Sequence, residues 1–298
     1  MSELAGSVIG EVSALPLRVL SDDPSFAALV ACLQDLGEVT VAFSGGVDSA
    51  FLAYVARVAL GRDAMQAITA VSPSLGRGEL EHCQRLANKW DIPFQFVHTK
   101  EMENPNYIAN ASDRCYWCKV ELMNSVRPIV EAADSKVVLG VNVDDLGDYR
   151  PGQQAAEEAG ARFPLVDAGY TKELIRKHSR VLGLSTWDRP QSACLSSRIP
   201  YGTAVSVAIL AQLDRAEASL KELGFSQVRV RHYDSTARIE FMLDDLDRVL
   251  AKRSEIVSAI KEAGYQYVTI DLEGFRSGNL NSENLRGTPL KMLRITSL

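Results

Sequence analysis

The sequence predicts an α/β protein with a parallel sheet covered by helices on both faces, followed by a small α+β domain. Three observations predict it. Short apolar runs rich in β-branched residues alternate with helical periodicity up to about residue 143, the pattern of βαβ units and of a sheet buried on both sides. After Pro200 the order becomes helix, two strands joined by a short turn, helix, strand, which suits a small, mainly antiparallel sheet. A glycine turn, Ser44-Gly45-Gly46-Val47-Asp48-Ser49, stands where the first strand should pass into a helix.

Taken in order, residues 1–24 carry no clear pattern and read as a leader. Asp22, Asp23 and Pro24 are a helix start before SFAALVACLQDL, which stops at Gly37. EVTVAF is a buried strand, and DSAFLAYVARVAL is a helix ending at Gly61. A strand over 64–72, a helix over 78–90, a strand over 93–99, a helix over about 115–133 and a strand over 136–143 follow. The second pattern gives a helix over 206–223, strands QVRVRH and ARIEF, a helix over 244–263 and strand YQYVTIDL. The Pro/Ser-rich stretch around 188–204 marks the boundary, dividing the chain into 25–195 and 196–298. In parallel sheets the ligand site lies beyond the carboxyl ends of the strands. That rule gathers the 44–49 loop, Ser72, the segment after Thr99 and Asn142–Asp145 on one rim.

Bulk properties exclude several classes. The 298 residues allow two ordinary domains, and 46% hydrophobic with 23% charged residues is globular composition. A formal net charge of -6 argues against a surface devoted to nucleic acid. No apolar run approaches the roughly 20 residues that span a membrane, and the N-terminus lacks a basic segment followed by a long apolar one. Five cysteines without a secretory signal read as reduced thiols in a cytoplasmic protein.

The glycine turn has a direct chemical meaning. Gly45 and Gly46 let backbone approach an anion, Ser44 and Ser49 add hydroxyl donors, and the first N–H groups of the following helix are unpaired and partly positive. Asp48 can cap that helix or help hold Mg²⁺. There is no Gly-Lys-Ser/Thr, so this is not a Walker A loop. The segment resembles the PP-loop ATP pyrophosphatase superfamily (adenine nucleotide alpha hydrolase-like), which cleaves ATP between the α and β phosphates and transfers AMP to a substrate oxygen. The resemblance implies that Ser44, Gly45, Gly46, Asp48 and Ser49, with Ser72 on the same rim, bind ATP.

Cys115-Tyr-Trp-Cys118-Lys119 opens a predicted helix, where a thiol beside a lysine should have a lowered pKa. Cys194 lies in QSACLSSRIPYGT. Four readings stand side by side: a redox pair that leaves Cys194 unused, a zinc site short of a fourth ligand, an iron–sulfur cluster on three thiolates, or unrelated buried thiols. Cys32 and Cys83, on apolar helix faces, read as buried thiols.

The stretches GVNVDDLGDYRPG (140–152), CLSSRIPYGT (194–203), VRVRHYDSTARIE (228–240) and YVTIDLEGFRSG (267–278) together resemble the LarE family. These are ATP-dependent sulfur transferases that make the nickel-pincer nucleotide cofactor of lactate racemase. The resemblance implies a pyridinium-3,5-dicarboxylate mononucleotide substrate, whose carboxylates are adenylated and converted to thiocarboxylates. Single-cysteine members give up their own sulfur. This chain departs from that pattern and is similar to members with a [4Fe-4S] cluster, implying that Cys115, Cys118 and Cys194 hold it and that sulfide or another sulfur donor supplies the atom. The family also implies a homohexamer, with the small domain binding substrate or building the oligomer.

Arg229 and Arg231 lie two apart on a strand and so share a face. With the family pattern they become candidates for the substrate phosphate, with Lys119, Ser197 and Arg198 as companions. Asp144, Asp145 and Asp148 follow a strand on the ligand rim and are candidates for Mg²⁺ or for helix capping. Glu240 and Asp271 are further candidates for a metal or an intersubunit contact. The histidines, His82, His98, His178 and His232, form no ligand spacing and receive no role. The competing enzyme readings are a tRNA thiolase, which would need a basic RNA surface, and an amide-forming synthetase, which would not need the three cysteines. A carrier that binds ATP without turnover is the non-enzyme alternative.

Overall fold

The computed structural model describes residues 19–146, 151–190 and 193–276. The chain divides into two units: one takes in everything up to Leu195 together with Tyr201–Ala211, the other Ser196–Pro200 and everything from Gln212. The sequence pattern suggests one crossing at 195/196, yet 201–205 returns to the first unit. Three hydrogen bonds tie it there: Gly202 N–H to the Asn110 carbonyl (3.0 Å), Val205 N–H to the Ile108 carbonyl (2.9 Å), and the Asn110 side-chain amide to the Thr203 carbonyl (2.8 Å).

In the first unit, α1 (Pro24–Leu36) begins as Asp23 and Pro24 predict, with the Asp23 carboxylate accepting from Ser25 and Phe26 N–H. Residues 19–24 are not a leader: Leu20 is buried in the core, and the Asp23 carboxylate lies 3.2 Å from buried His178. Residues 1–18 fall outside the described residues. β1 (Val39–Ala42) passes into α2 (Val47–Leu60), then come β2 (Met65–Val71), α3 (Glu79–Lys89), β3 (Phe94–His98), α4 (Pro105–Ile108), α5 (Arg114–Ala132) and β4 (Lys136–Leu139). α6 (Pro151–Glu158), α7 (Pro164–Asp167) and α8 (Lys172–Val181) complete it.

The sheet is parallel with order β3-β2-β1-β4. Strand periodicity sends alternate residues to opposite faces. Val39, Val41, Ala67 and Val138 pack with α1, α2, α3 and α8, while Ile68, Val137 and Leu139 pack with α5 and α6. α2 is buried on nearly every side through Ala56. The chain steps outward from β1 to β3 and then returns to the other side of β1 as β4. The order therefore reverses between β1 and β4, where ligands bind in open α/β sheets.

β4 stops earlier than the apolar run suggests. Asn142 and Asp145 cap each other's backbone, with Asn142 N–H donating to Asp145 Oδ2 (3.2 Å) and Asp144 N–H to Asn142 Oδ1 (3.0 Å). Such local side-chain bonds compete with strand pairing.

α9 (Val207–Glu222) leads into the second unit, which holds β5 (Val228–Tyr233), β6 (Thr236–Phe241), α10 (Leu246–Ala251), α11 (Arg253–Glu262) and β7 (Tyr267–Ile270). β5 and β6 pair antiparallel, but β7 pairs parallel to β6. The two helices between β6 and β7 give the chain the length to cross back and run in the same direction, which a tight turn cannot do. The helix expected over 244–263 is two helices, because Lys252 leaves helical backbone angles. Phe225 and Phe241 stack edge to face at 4.8 Å in this unit's core. Among the described residues no helix is long and apolar enough to cross a membrane.

Candidate functional site

The glycine turn sits where the sequence places it, between the end of β1 and the start of α2. Gly46 is the N-cap of α2 and supplies no side-chain cap, so the first N–H groups of the helix are left for a ligand. Buried Ser49 holds the turn: its hydroxyl accepts from Ser44 N–H (3.2 Å), bonds the Ser44 hydroxyl (3.0 Å) and donates to the Gly46 carbonyl (3.3 Å).

Two glycines have steric reasons. Gly45 has φ +67°, and a Cβ there would lie 2.8 Å from the His82 ring. The close approach lets two donors hold the Gly45 carbonyl: His82 Nε2 (3.2 Å) and Arg189 Nη1 (3.3 Å). Burial, with help from nearby Arg189, depresses the His82 pKa to about 4, so the ring is neutral near pH 7. With a carbonyl as partner, Nε2 carries its proton. Arg189 is itself fixed by both Glu79 oxygens (3.0 and 2.8 Å). At Gly140, a Cβ would fall 2.7 Å from Ser49 N and 2.9 Å from Asp48 C. Only glycine lets the end of β4 pass this close to the first turn of α2.

A cavity of about 470 Å³ opens at the carboxyl ends of the strands. Of the residues expected for ATP, metal and sulfur chemistry, it gathers Ser44, Gly46, Asp48, Ser49, Ser72, Cys118, Lys119, Asp145 and Cys194. Gly45, Cys115 and Asp144 are not in its wall. A second cavity, about 300 Å³, lies by Glu38, Arg62 and Asp63 at the amino ends and holds none of the motif residues. The sequence reading missed Glu79, Glu101, Lys172, Arg176 and Arg189, all in the wall of the larger cavity. Lys172 and Arg176 lie four apart on one face of α8, a signal the sequence did offer.

Asp48 is pushed above the usual carboxylate range by burial and by Asp145, against the pull of Lys172, whose Nζ is 3.6 Å away. Its Oδ1 is buried without a hydrogen-bond partner among the described residues. Asp144 and Asp145 both serve as caps: Asp144 Oδ2 accepts from Lys172 N–H at the start of α8 (2.7 Å), and Asp145 from Asn142 N–H. Asp148 lies outside the described residues.

Cys115 and Cys118 stand on the first turns of α5, and Cys194 approaches from the loop after α8. Cys115 and Cys194 are exposed and Cys118 is partly buried. The Cys118 thiol is not acidified as its position beside Lys119 suggests. Desolvation first, then Cys194, raises it to about 12, and Lys119 offsets only part of this. Cys118 and Cys194 line the same cavity, and Cys115 lies one turn before Cys118 on α5, outside the cavity wall. Buried Arg114 is next to Cys115. Burial is the largest influence and would lower its pKa, but Cys194, Cys115, Tyr201 and Tyr107 together raise it. Among the described residues no three His, Cys, Asp or Glu side chains are gathered as for a metal ion. Cys83 is buried and Cys32 is raised by burial and by Asp167, as suits packing thiols.

In the second unit Ser197, Arg198, Arg229 and Arg231 form one cluster; Lys119 belongs to the first unit's cavity. Arg198 pairs with Glu217 (2.8 Å) and Arg231 with Glu240 (2.9 Å), and Arg231 also donates to the Ser197 carbonyl (2.7 Å). Glu240 is fully buried with both oxygens taken by Arg231, so it is a partner of that arginine and not an intersubunit contact. Asp271 lies 3.7 Å from Arg238. Arg229 differs from its neighbours. It is buried, lies over the Phe275 ring (4.3 Å), donates to the Arg276 carbonyl (3.0 Å), and has no carboxylate partner among the described residues. Burial, then Arg198 and Arg231, lowers its pKa to about 10. Glu240 and Glu217, which pair with the other two arginines, offset only part of this.

A parallel sheet with a glycine turn feeding an uncapped, buried helix at the point where strand order reverses defines a PP-loop nucleotide-binding protein. The NAD synthase family model matches residues 31–113, which hold this turn. A protein of Lactiplantibacillus plantarum named pyridinium-3,5-bisthiocarboxylic acid mononucleotide synthase is 37% identical over 256 residues, covering 86% of this chain and 93% of that protein. An uncharacterized protein of Synechocystis sp. is 47% identical over 250 residues (83% and 93%). Another, of Methanocaldococcus jannaschii, is 27% identical over 247 (80% and 91%). The chain belongs to the LarE family of ATP-dependent sulfur transferases.

Proposed function

We propose that the enzyme converts both carboxylates of a pyridinium-3,5-dicarboxylate mononucleotide to thiocarboxylates at the expense of ATP. A carboxylate oxygen attacks the α-phosphorus of ATP and pyrophosphate leaves. A sulfur nucleophile then adds to the acyl carbon, and AMP departs with the former carboxylate oxygen. One observation carries this reading: the phosphate-binding turn and the thiols of Cys118 and Cys194 line one cavity. Activation and sulfur delivery then share a space, so the acyl adenylate need not leave it.

The turn's N–H groups and the Ser44 and Ser49 hydroxyls bind the pyrophosphate portion, with Lys172 and Arg176 adding positive charge. Mg²⁺ would sit on Asp48, whose Oδ1 is spare, and on Asp145. Three thiols are the donor type a [4Fe-4S] cluster takes, and Cys115, Cys118 and Cys194 would hold it once their side chains close up around it. When bound, such a cluster supplies an iron with an open position where sulfide can be held. Buried Arg114, next to Cys115 at the start of α5, offsets the negative charge of the cysteine thiolates. Arg229 holds the phosphate of the substrate, with Ser197, Arg198 and Arg231 of the same unit as companions. The same reading carries a homohexamer in the cytoplasm, checked by light scattering on the full chain.

The test is anaerobic incubation of reconstituted protein with ATP, Mg²⁺, the dicarboxylate mononucleotide and sulfide, followed by counting AMP and thiocarboxylates per chain and weighing the protein. More than one thiocarboxylate per chain with Cys194 intact supports cluster-held sulfide. Loss of one hydrogen sulfide from the protein supports sacrifice of a cysteine. No substrate-dependent AMP sinks the proposal. The cluster assignment fails if anaerobic reconstitution binds no iron, or if Cys115→Ala leaves multiple turnovers intact.

A further inference from the structure

Glu101 lies in the turn after β3, in the wall of the cavity that holds the phosphate-binding loop. It is 2% exposed. Its Oε1 accepts from the Ser74 hydroxyl (3.3 Å), which in turn bonds the Ser72 hydroxyl (2.8 Å). Its Oε2 is buried with no hydrogen-bond partner among the described residues. Burying a carboxylate oxygen without a donor is unfavourable, and such groups in folded proteins are nearly always satisfied. The missing donor is therefore to be sought on a ligand.

The rest of the cavity narrows the donor. Lys119, Lys172, Arg176 and Arg189 line it, as suits phosphates, and a carboxylate would repel those. Glu101 must face a part of the ligand that donates hydrogen bonds. On a nucleoside triphosphate these are the sugar hydroxyls and the amine of the base. Strand geometry favours the sugar. The phosphate loop follows β1 and Glu101 follows β3, with β2 between them, a lateral separation of about 10 Å, or two strand spacings. A triphosphate anchored on the loop brings its ribose across that distance. The apolar wall residues Ile68 and Leu122, which belong to one core cluster, suit the flat face of the base. A fixed carboxylate matches vicinal hydroxyls, the same chemistry by which acidic residues read ribose in dinucleotide sites.

We infer that Glu101 is a specificity-determining residue whose carboxylate accepts hydrogen bonds from the ribose hydroxyls of the nucleotide, making the site selective for ribonucleotide over deoxyribonucleotide. This rests on reading the cavity as the ATP site. Ser72 and Ser74 act through Glu101, orienting it so that Oε2 stays available.

Binding of ATP, 2′-deoxy-ATP, 3′-deoxy-ATP and inosine triphosphate, each with Mg²⁺, tests it by calorimetry on the full chain and on Glu101→Ala and Glu101→Gln. The wild type should bind at least one deoxy analogue about tenfold or more weakly than ATP, the loss of a hydrogen bond to a charged group. Glu101→Ala should bind ATP and that analogue alike. The isosteric Glu101→Gln, with a thermal melt like the wild type's, should show the discrimination reduced severalfold, which guards against a misfolded alanine variant. Equal wild-type binding of all the adenine nucleotides overturns the inference, as does discrimination that survives both substitutions. So does a Glu101→Gln variant that loses only its preference over inosine triphosphate, or only sulfur transfer at saturating ATP. A wild type that binds none of the four nucleotides removes the ATP reading itself.

Discussion

Replacing Gly140 with alanine adds one methyl group, yet three backbone atoms of α2 stand in its way. Ser49 N is 2.7 Å, and Asp48 C and Ser49 Cα are each 2.9 Å, from the position the new carbon would take. None is the end of a flexible side chain that could swing aside. Either β4 or the first turn of α2 must move, and α2 is buried through Ala56. Overpacking of this kind costs about 1–3 kcal/mol. The displaced turn carries the Ser49 hydroxyl that holds Ser44 and Gly46, so ATP affinity should fall together with stability. Urea unfolding followed by tryptophan fluorescence is the assay, because Trp90, Trp117 and Trp187 all lie in the first unit. Gly76→Ala is the control. It lies in the same cavity wall, but its Cβ would meet nothing closer than Glu79 Cγ at 3.8 Å, so its change should stay within about 0.5 kcal/mol. A Gly140→Ala protein with wild-type stability and ATP affinity would refute the close approach of β4 to the phosphate turn.

Four further outcomes are expected. His82 has a folded pKa of about 4 against an ordinary 6.5. The fold therefore prefers the neutral ring, and stability should fall as pH drops from about 6.5 toward about 4. His82→Gln should flatten that part of a pH series of urea midpoints, and an unchanged slope would count against the buried neutral imidazole. Arg229→Met should leave stability unchanged or raised, since it removes a buried cation crowded by two others, while weakening a phosphate-bearing substrate about tenfold or more. Thermal melts with and without substrate check both halves. Arg231→Ala, by contrast, takes the two-point partner from fully buried Glu240, leaving it Arg238 at 3.6 Å, and should cost about 3 kcal/mol. Arg189→Lys should weaken ATP about tenfold by calorimetry, because lysine cannot hold Glu79 and the Gly45 carbonyl together.

What was legible in the sequence follows from what periodicity and local chemistry encode. Val39, Val41, Ala67 and Val138 alternate with residues facing the other way, so the sheet and its two covered faces could be read directly. Asp23-Pro24 announced α1, and the glycine turn announced the phosphate loop. The parallel pairing of β7 was not legible, because strand composition does not say on which side a crossover will dock. The early end of β4 was written in Asn142 and Asp145, but as a side-chain competition that an apolar run conceals. The environment of Cys118 shows the same limit. Its neighbours along the chain, Lys119 and the helix start, argue for an acidic thiol, whereas burial first, and then Cys194, argues the opposite and outweighs them.

The arginines give the most instructive case. Two arginines two residues apart on a strand ordinarily mark a solvated face, and the family pattern alone turned them toward a phosphate. The structure separates them by their partners. Arg198 and Arg231 each face a buried glutamate, so their charge is already matched. Arg229 makes no ion pair of its own among the described residues: it rests on a backbone carbonyl and an aromatic ring and shares Glu240 and Glu217 at longer range. Glu101 is the reverse situation in the other unit, a carboxylate oxygen without a donor among cations placed for phosphate. An unmatched buried group is invisible to any reading of spacing, since it is defined by what is missing around it. In both places the simplest way to close the electrostatic account is a ligand, an anion at Arg229 and a hydroxyl donor at Glu101. A nucleotide and a phosphate-bearing second substrate supply those two chemistries without any further assumption.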